Sequence, residues 1–472
     1  TDTTRLQRDA AALSLGDLSA VTADLRLPAT GVNGAAISWA SSNTAAVSAA
    51  GKVTRPAAGQ QPATATLTAT LTRGSATETR TFAVTVAAMP GGAELAKADL
   101  DKISIPNAAD VRGNITLPAT GSVNGTAITW SASPSGVVST APAGGKAAGV
   151  VTRGATDTKV TLTAAASGTS VTRQIEVTVK AAPAGLDKDY TAGYLWTHFA
   201  TEGGYEKIFM GHSTDGLHWE KLNDNKSILA NLGGDLGVRD PHLVRSPEGD
   251  KYWIIGTDLH AEGGGAGGSG WDQLNASQNI VVWESTDLVN WSDQRIVFAG
   301  FDKAGCVWAP EAIYNEATGE YYVYWAARDQ TDNNTPDWAL RMYLTKTRDF
   351  TTFTKPEIWT TLNPKGDGQG GRNIIDSTIA KEGDTYYRFS TSDWDTVVDT
   401  APSLDGPWTQ KIAPGQAGAA GLRGRMEGLT VYQLPDGRWS VMGDEFNYYA
   451  QTADTLASNT YTQLSAGPGA NQ

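Results

Sequence analysis

The chain has 472 residues, enough for two to four domains, and its 50 acidic against 37 basic residues give a net charge of -13. This acidic balance, without any block of basic residues, argues against nucleic acid or an anionic membrane as a partner. The single cysteine, Cys306, excludes an intrachain disulfide and a cysteine-rich metal site. Since no apolar run is long enough to cross a bilayer, we expect no membrane insertion.

Residues 1–88 and 97–182 are two copies of one repeat. The segment LPATGVNGAAISWASSN of the first copy recurs as LPATGSVNGTAITWSASP in the second, so that Trp39 corresponds to Trp130. Short alternating Thr/Val strands between Gly, Asn and Pro turns predict two β-sandwiches, each with one tryptophan in its core. Both copies resemble bacterial immunoglobulin-like domains of extracellular proteins. We expect them to act as spacers, with weak contact to a glycan or cell wall as the alternative.

Residues 188–470 are rich in Trp and Tyr and repeat a two-strand unit. An opening motif occurs as RDPHLV, WAPEAI, IDSTIA and MEGLTV, and each copy leads through a turn to an aromatic-rich strand. A closing motif occurs as STDGLHW, STDLVNW, TRDFTTF and SLDGPW, and more weakly as TADTLASNTY. An upstream unit at 193–213 has the two-strand form without an opening acid. Five such units predict a five-bladed β-propeller, with a sandwich or irregular barrel as the alternative.

The predicted fold class is therefore all-β, a five-bladed β-propeller with two N-terminal immunoglobulin-like β-sandwich domains. In a propeller the first strand of every blade lines the central channel, so equivalent positions at the strand starts converge. Alignment of the opening motifs makes Asp240, Ala309, Asp376 and Glu427 equivalent. Clustered carboxylates raise one another's pKa at a cost in stability, so we interpret the set as functional rather than as separate turn acids. One carboxylate that deprotonates water and one carboxylic acid that protonates a leaving oxygen suit glycoside hydrolysis.

On these motifs, residues 190–466 resemble glycoside hydrolase family 43, inverting five-bladed propellers that act on arabinofuranosides and xylosides. The resemblance implies that Asp240 in RDPHLV is the general base, and we expect it to be ionised and to face water. It implies that Asp376 in IIDSTI modulates a pKa and that Glu427 in RMEGLT is the general acid. It also implies that Trp308 in VWAPEAIY contacts the sugar.

We expect further substrate contacts from the residue beside the base and from loops between strands. These candidates are Arg239, Trp271, Trp338, Arg372 and Trp394. Many members of the family have a late axial histidine, but this chain has none after His260, so His198 or His212 would have to take that place. We include His198 among the substrate-binding candidates. No cofactor is expected to be required, and an axial calcium ion stays open.

The leading prediction is a secreted α-L-arabinofuranosidase or arabinan-type hydrolase that acts on a polysaccharide or oligosaccharide. A β-D-galactofuranosidase, β-xylosidase or β-galactosidase of the same fold stays open. The chain starts at Thr1 without a signal peptide, which suggests a trimmed mature form at the cell surface or outside the cell. Two other classes compete: a retaining fructan-type hydrolase, and a propeller that binds carbohydrate without cleaving it. The first needs an Asp nucleophile in an earlier blade, and the unit at 193–225 offers none at its strand start.

Overall fold

A computed structural model describes most of the chain and separates it into two compact units. The described residues are 2–185, 193–261, 270–330, 339–360, 373–445 and 447–464. The first unit comprises residues 1–104, 118–131 and 163–175, and the second comprises 105–117, 132–162 and 176–472. Within the described ranges, no helix is long and apolar enough to cross a membrane.

The first sandwich combines one helix with one three-stranded sheet. Helix α1 spans Asp2–Ala12 and packs on the antiparallel strands β1 (Ala36–Ser41), β2 (Ala63–Arg73) and β3 (Ala76–Val86). Alternate residues of β2 are buried, as expected of a strand with one face on a core. The buried Asp9 accepts backbone N–H bonds from Asn33 and Ala35 at 2.6 and 2.9 Å, which ties the helix to the loop before β1.

The second sandwich repeats this plan. Helix α2 spans Gly92–Asp101, and β4 (Ile128–Ser133), β5 (Thr158–Ala166) and β6 (Thr172–Val179) form the sheet. The indole N–H groups of Trp39 and Trp130 donate to the carbonyl oxygens of Pro28 and Pro118 at 2.8 and 2.9 Å. Both rings pack against buried apolar clusters, so the prediction of one core tryptophan per copy is confirmed.

The remaining strands form five antiparallel sheets. The first contains β7 (Tyr194–Glu202), β8 (Tyr205–Ser213), β9 (Glu220–Lys221) and β10 (Leu229–Ala230). The second contains β11 (Val238–Arg245), β12 (Tyr252–Asp258), β13 (Asn279–Ser285) and β14 (Arg295–Phe298). The third contains β15 (Trp308–Asn315), β16 (Glu320–Ala327), β17 (Arg341–Thr347) and β18 (Glu357–Thr360).

The fourth sheet contains β19 (Ile375–Glu382), β20 (Thr385–Ser392), β21 (Asp395–Ala401) and β22 (Thr409–Ile412). The fifth contains β23 (Glu427–Gln433), β24 (Trp439–Asp444), β25 (Tyr448–Ala453) and β26 (Thr462–Gln463). The strands β7, β11, β15, β19 and β23 contact one another in that order, which is the arrangement of a β-propeller.

The first and last sheets are in contact. The rings of Tyr194 and Tyr432 lie 5.7 Å apart, and the Tyr194 hydroxyl donates to the carbonyl oxygen of Gln433 at 2.8 Å. Tyr448 meets Trp196 edge-on, with 4.4 Å between the rings. The unit at 193–213 therefore lies beside the last sheet.

The closing motifs are turns that follow a strand. In three of them an aspartate side chain accepts two successive backbone N–H groups through one oxygen, at 2.7 to 2.9 Å; these are Asp215, Asp287 and Asp349. This is the self-bonding for which Asp is favoured in turns. The repeated aspartates therefore have a structural explanation.

Residues 105–117 and 132–162 of the second sandwich belong to the second unit, where they pack on the propeller. The guanidinium of Arg153, whose side chain is 4% exposed, pairs with Asp250 at 2.6 Å. Arg348 donates to the carbonyl oxygen of Ile115 at 2.8 Å. The expectation that the sandwiches act only as spacers did not anticipate this contact.

Candidate active site

A bulge of one form opens the first strand of four sheets. The ladder between β11 and β12 pairs Arg239 with Thr257, skips two residues and resumes at His242. The same skip occurs in β15, β19 and β23. The first skipped residue has positive φ in each: 48° at Asp240, 48° at Ala309, 50° at Asp376 and 56° at Gly428. Left-handed backbone costs about 1–2 kcal/mol for a residue other than glycine, and the bulge imposes it on Asp240, Ala309 and Asp376 alike.

The register corrects the sequence alignment at one acid. Glu427 pairs with Asp444 before the bulge, as Arg239 pairs with Thr257 in the second sheet. Gly428, not Glu427, therefore corresponds to Asp240. The expected equivalence was one residue wrong because the carboxyl group, rather than the backbone bulge, guided the alignment. The glutamate reaches the channel from the preceding position.

Asp240 has partners that favour its ionised form. The Thr257 hydroxyl donates to Asp240 Oδ2 at 2.9 Å, and the N–H of Ala309 donates to that hydroxyl oxygen at 2.8 Å. Burial is the largest effect and leaves the pKa of Asp240 raised on balance, with a smaller contribution from the charge of Glu206, while the charge of Arg239 and the bond from Thr257 oppose this rise. The expected ionised state of this acid therefore depends on Arg239 and Thr257.

Asp376 and Glu427 are joined across two sheets. The N–H of Gly428 donates to Asp376 Oδ2 at 3.0 Å. Burial, followed by the charge of Asp240, raises the pKa of Asp376 to about 8. Burial, followed by the charges of Asp444 and Asp240, raises the pKa of Glu427 to about 7. The structure thus brings together all three acids that the sequence selected. Asp376 is protonated at neutral pH, and Glu427 loses its proton close to pH 7.

Asp444 is a fourth carboxylate that the sequence reading missed. It ends β24 directly opposite Glu427, and burial and the charge of Asp240 raise its pKa. It belongs to none of the opening or closing motifs. Its only sequence signal is its place at the end of the strand that follows the Glu427 strand.

Arg239 is held at the channel mouth by a carboxylate and two aromatic faces. Its guanidinium pairs with Glu206 at 3.4 Å and lies 4.2 Å from the ring centre of Phe199 and 4.6 Å from that of Trp271. Glu206 is fully buried and also accepts the N–H of Ala261 at 2.8 Å. Stacking on aromatic faces suits a planar cation and fixes its position next to Asp240.

Two of the predicted tryptophans are exposed at this end of the sheets. Trp271 is 60% exposed and meets the half-buried Trp308 edge-on at 6.1 Å. Trp394 is 48% exposed and lies in the two-residue turn between β20 and β21. That turn is at the same end as Asp376, because Thr391 of β20 pairs with Ile375 of β19. Trp338 and Arg372 lie outside the described residues.

Two histidines, the predicted His198 and the unpredicted His242, have described contacts in the propeller. His198 packs its ring on Phe209 at 5.6 Å and beside Trp196 at 5.0 Å, and its Nδ1 lies 3.4 Å from the carbonyl oxygen of Phe199. His242, in the opening motif itself, has Nε2 3.1 Å from the carbonyl oxygen of Ala312. Burial lowers the pKa of His242 to about 4, so its ring is neutral.

Glu311 forms a second polar layer with His242. Its Oε1 lies 3.8 Å from Nδ1 of His242, and the Tyr324 hydroxyl donates to its Oε2 at 3.3 Å. Burial raises the pKa of Glu311 to about 8, so this carboxyl is protonated at neutral pH. Over the described ranges, no group of three or more His, Cys, Asp or Glu side chains is arranged to hold a metal.

Comparison with known families agrees with this geometry. Residues 189–467 match the family 43-related model described as a probable glycosyl hydrolase domain. The chain belongs to the family 43-related glycoside hydrolases. Residues 6–89 and 93–182 match the atrophied bacterial Ig domain. The resemblances to family 43 and to immunoglobulin-like domains are thereby confirmed, and so is the all-β propeller class.

Among curated proteins, an α-L-arabinofuranosidase of Bifidobacterium longum subsp. longum is 32% identical over 481 residues, which is 90% of this chain and 42% of that protein. The chain thus spans less than half the length of this relative. Solved structures that are similar include an endo-1,4-β-xylanase from Bacteroides thetaiotaomicron, with 13% identity, 59% of this chain and 93% of that chain covered, and a TM-score of 0.42. Another is an exo-1,5-α-L-arabinanase from a bovine ruminal metagenomic library, with 14% identity, 57% and 95% covered, and a TM-score of 0.38.

Proposed function

We propose that this family 43-related domain is an inverting glycosidase that cleaves α-L-arabinofuranosides. Asp240 is the general base, Glu427 the general acid, and Asp376 the residue that orients Glu427. The observation that carries the proposal is the convergence of three carboxyls from three sheets at one channel mouth, two of them on bulges with left-handed backbone.

The charges support this division of roles. Arg239 and Thr257 favour the ionised form of Asp240, which a base needs in order to take a proton from water. Glu427 keeps its proton up to about pH 7, so it can protonate the oxygen that leaves the sugar. Asp376 bonds to the N–H that follows Glu427 and thereby fixes the backbone of the acid.

The furanoside assignment rests on the similar arabinofuranosidase and on the aromatic mouth of the channel. Trp271 and Trp394 are exposed there, and Trp308 stands behind Trp271. Aromatic faces beside a fixed cation suit the apolar face and the hydroxyl groups of a sugar. Arg239, Trp271, Trp308 and Trp394 are therefore the proposed substrate contacts, and Trp338, Arg372 and His198 are retained as candidates.

We place the enzyme outside the cell, on polysaccharide or oligosaccharide, and the immunoglobulin-like domains are the support for this location. Contact of these domains with a glycan or cell wall belongs to the same proposal. Other sugars of the same fold, β-D-galactofuranosides, β-xylosides and β-galactosides, are the alternatives for the substrate.

A panel of nitrophenyl furanosides and pyranosides tests the proposal directly. We expect the α-L-arabinofuranoside to be cleaved fastest and NMR to detect the inverted anomer first. The Asp240→Asn variant should lose at least about 100-fold in kcat. Retention of the anomeric configuration would favour a retaining, fructan-type mechanism instead. Tight binding by calorimetry without any cleavage would favour a carbohydrate-binding propeller.

A further inference from the structure

The strand pair β23–β24 sets two carboxylates face to face at the channel mouth. Glu427 and Asp444 are direct partners in the antiparallel register. Directly opposed residues of a ladder share one face of the sheet, with about 5 Å between their Cβ atoms, and like charges there destabilise the pair. A fold without a use for this repulsion would gain from a neutral residue at either position.

Around the pair, a cation, a further carboxylate and an uncharged phenol act together. On the other side of Asp444, its ladder partner is Tyr448, whose pKa is raised, so it is an uncharged phenol. Asp240 of β11 adds a negative charge, and Arg239 beside it is the cation that acts on both members of the pair. Asp376 of β19 is a further described neighbour, since the charges of Glu427 and Asp444 both act on it.

The charge of Asp376 is not among the effects that raise the pKa of Glu427. The pKa of Asp376 itself is raised to about 8, so near neutral pH it is protonated. Among the charges that act on Glu427, that of Asp444 is the largest, ahead of that of Asp240. Aspartate also ionises at lower pH than glutamate in the absence of other effects, about 3.9 against 4.3. Burial and the charge of Asp240 also raise the pKa of Asp444. Because the two carboxyls are opposed in the ladder, ionisation of one opposes ionisation of the other, and we assign the retained proton to Glu427.

We propose that Asp444 is a positioning residue that keeps the Glu427 carboxyl protonated as the proton donor. This inference rests on the proposed function and adds a residue to it. It divides between two residues the role that the family resemblance gives to Asp376. Asp376 fixes the backbone next to the acid, and Asp444 supplies the charge that opposes ionisation of the acid.

The test is the pH dependence of kcat/KM for the full chain on an arabino-oligosaccharide, whose leaving oxygen needs a proton from the general acid. The alkaline limb reports the general acid of the free enzyme. In Asp444→Asn we expect this limb to move to lower pH by about one unit. At one pH unit above the wild-type limb, kcat/KM would then fall about tenfold below the wild type, because one pKa unit is a factor of ten.

Two further variants separate charge from structure. Asp444→Glu restores a carboxylate and should return the limb toward the wild-type position. Glu445→Gln is the matched control, because Glu445 adjoins Asp444 but pairs with Arg423 at 2.8 Å, and it should leave the limb in place. A melting temperature for each variant identifies simple loss of folding. If Asp444→Asn does not fold, the comparison of Asp444→Glu with Asp444→Ser at the same limb decides the question.

Different outcomes would contradict the role of Asp444 and the proposed glycosidase function. If every foldable neutral variant at 444 leaves the limb within about 0.2 units of the wild type while Glu427→Gln is inactive, the inference is wrong and the proposed function stands. A rise in KM without movement of the limb would make Asp444 a sugar contact and also contradict the inference. If Glu427→Gln is as active as the wild type, the proposed function itself is wrong.

Discussion

Asp376 accepts a hydrogen bond from the backbone N–H of Gly428, 3.0 Å away, and so connects the bulge of the fourth sheet to the bulge of the fifth. Gly428 follows Glu427, so this bond fixes the backbone that carries the proposed acid. Both bonded residues have left-handed backbone. A protonated aspartate can serve here because it needs only an acceptor oxygen to hold the backbone next to Glu427.

The first prediction concerns the two ways to change Asp376. Asp376→Ala removes the acceptor oxygen, and we expect kcat at pH 6 to fall about 100-fold, in the range of general acid–base contributions. Asp376→Asn keeps an acceptor oxygen and is neutral, like the protonated aspartate, so it should lose less than about tenfold at this pH. Steady-state kinetics on both variants checks this. Equal losses would show that the charge of Asp376, not its bond to Gly428, is what the reaction needs.

Gly443 adjoins Glu427 and gives a steric prediction. A Cβ at this position would lie 2.7 Å from Met426 Cε and 2.9 Å from the carbonyl oxygen of Glu427. Gly443→Ala must therefore move the strand that carries the acid, and we expect activity to fall more than about tenfold, since small displacements of catalytic groups are costly. Gly418→Ala is the control, because a Cβ there has no neighbour within 4 Å. Comparable activity in the two variants would argue against a tightly fixed Glu427.

The buried Glu311 predicts how stability depends on pH. Its pKa is about 8 in the folded chain and about 4.5 when exposed, so between these values the folded state holds a proton that the unfolded state has released. The contribution to stability is therefore complete below pH 4.5 and is lost as pH rises toward 8. Glu311→Gln cannot ionise at this position. Between pH 5 and pH 8 we therefore expect its free energy of unfolding to fall by at least about 1 kcal/mol less than that of the wild type.

Urea unfolding at several pH values measures this difference. Glu316→Gln, on the exposed turn that follows the same strand, is the control and should change with pH as the wild type does. Parallel curves for Glu311→Gln and the wild type would mean that Glu311 is ionised in the folded protein.

The contact between Arg153 and Asp250 predicts that part of the second sandwich stabilises the propeller. Arg153→Ala removes a buried cation and leaves Asp250, among the described residues, paired with Arg112 at 3.2 Å, so we expect the free energy of unfolding to fall by about 2–4 kcal/mol. Lys97→Ala breaks an exposed pair with Asp101 and should cost at most about 0.5 kcal/mol. Thermal unfolding followed by tryptophan fluorescence compares them. A wild-type transition in Arg153→Ala would show that the contact adds nothing.

The sequence alone predicted the fold well because repetition is visible in it. The opening and closing motifs mark strand starts and turns, and the sheets follow them in chain order. The register was the difficult part. A bulge is a property of backbone angles, and Asp, Ala, Asp and Gly share no side chain that would mark it, so Glu427 was aligned one residue away from its true position.

The sequence predicted the acids of the site that lie in the opening motifs, and it did not predict Asp444, which lies outside them. Asp444 lies on the second strand of its sheet, and only the ladder shows that it faces Glu427. Glu311 and His242 were inside opening motifs, yet burial, which sets their pKa values, is not visible in the sequence. The pairing of Arg239 with Glu206 joins two sheets and required the fold to be seen.

The central claim is that Asp240 is the general base and Glu427 the general acid. The most direct test measures how strongly the loss of activity in variants of these two residues depends on the leaving group. Turnover of a dinitrophenyl α-L-arabinofuranoside, whose leaving group needs no proton, is compared with turnover of an arabino-oligosaccharide, whose leaving group does. We predict that Glu427→Gln stays within about tenfold of the wild type on the first and loses at least about 100-fold on the second, whereas Asp240→Asn loses at least about 100-fold on both. Equal losses on the two substrates for Glu427→Gln, or near wild-type turnover by Asp240→Asn, would contradict the assignment.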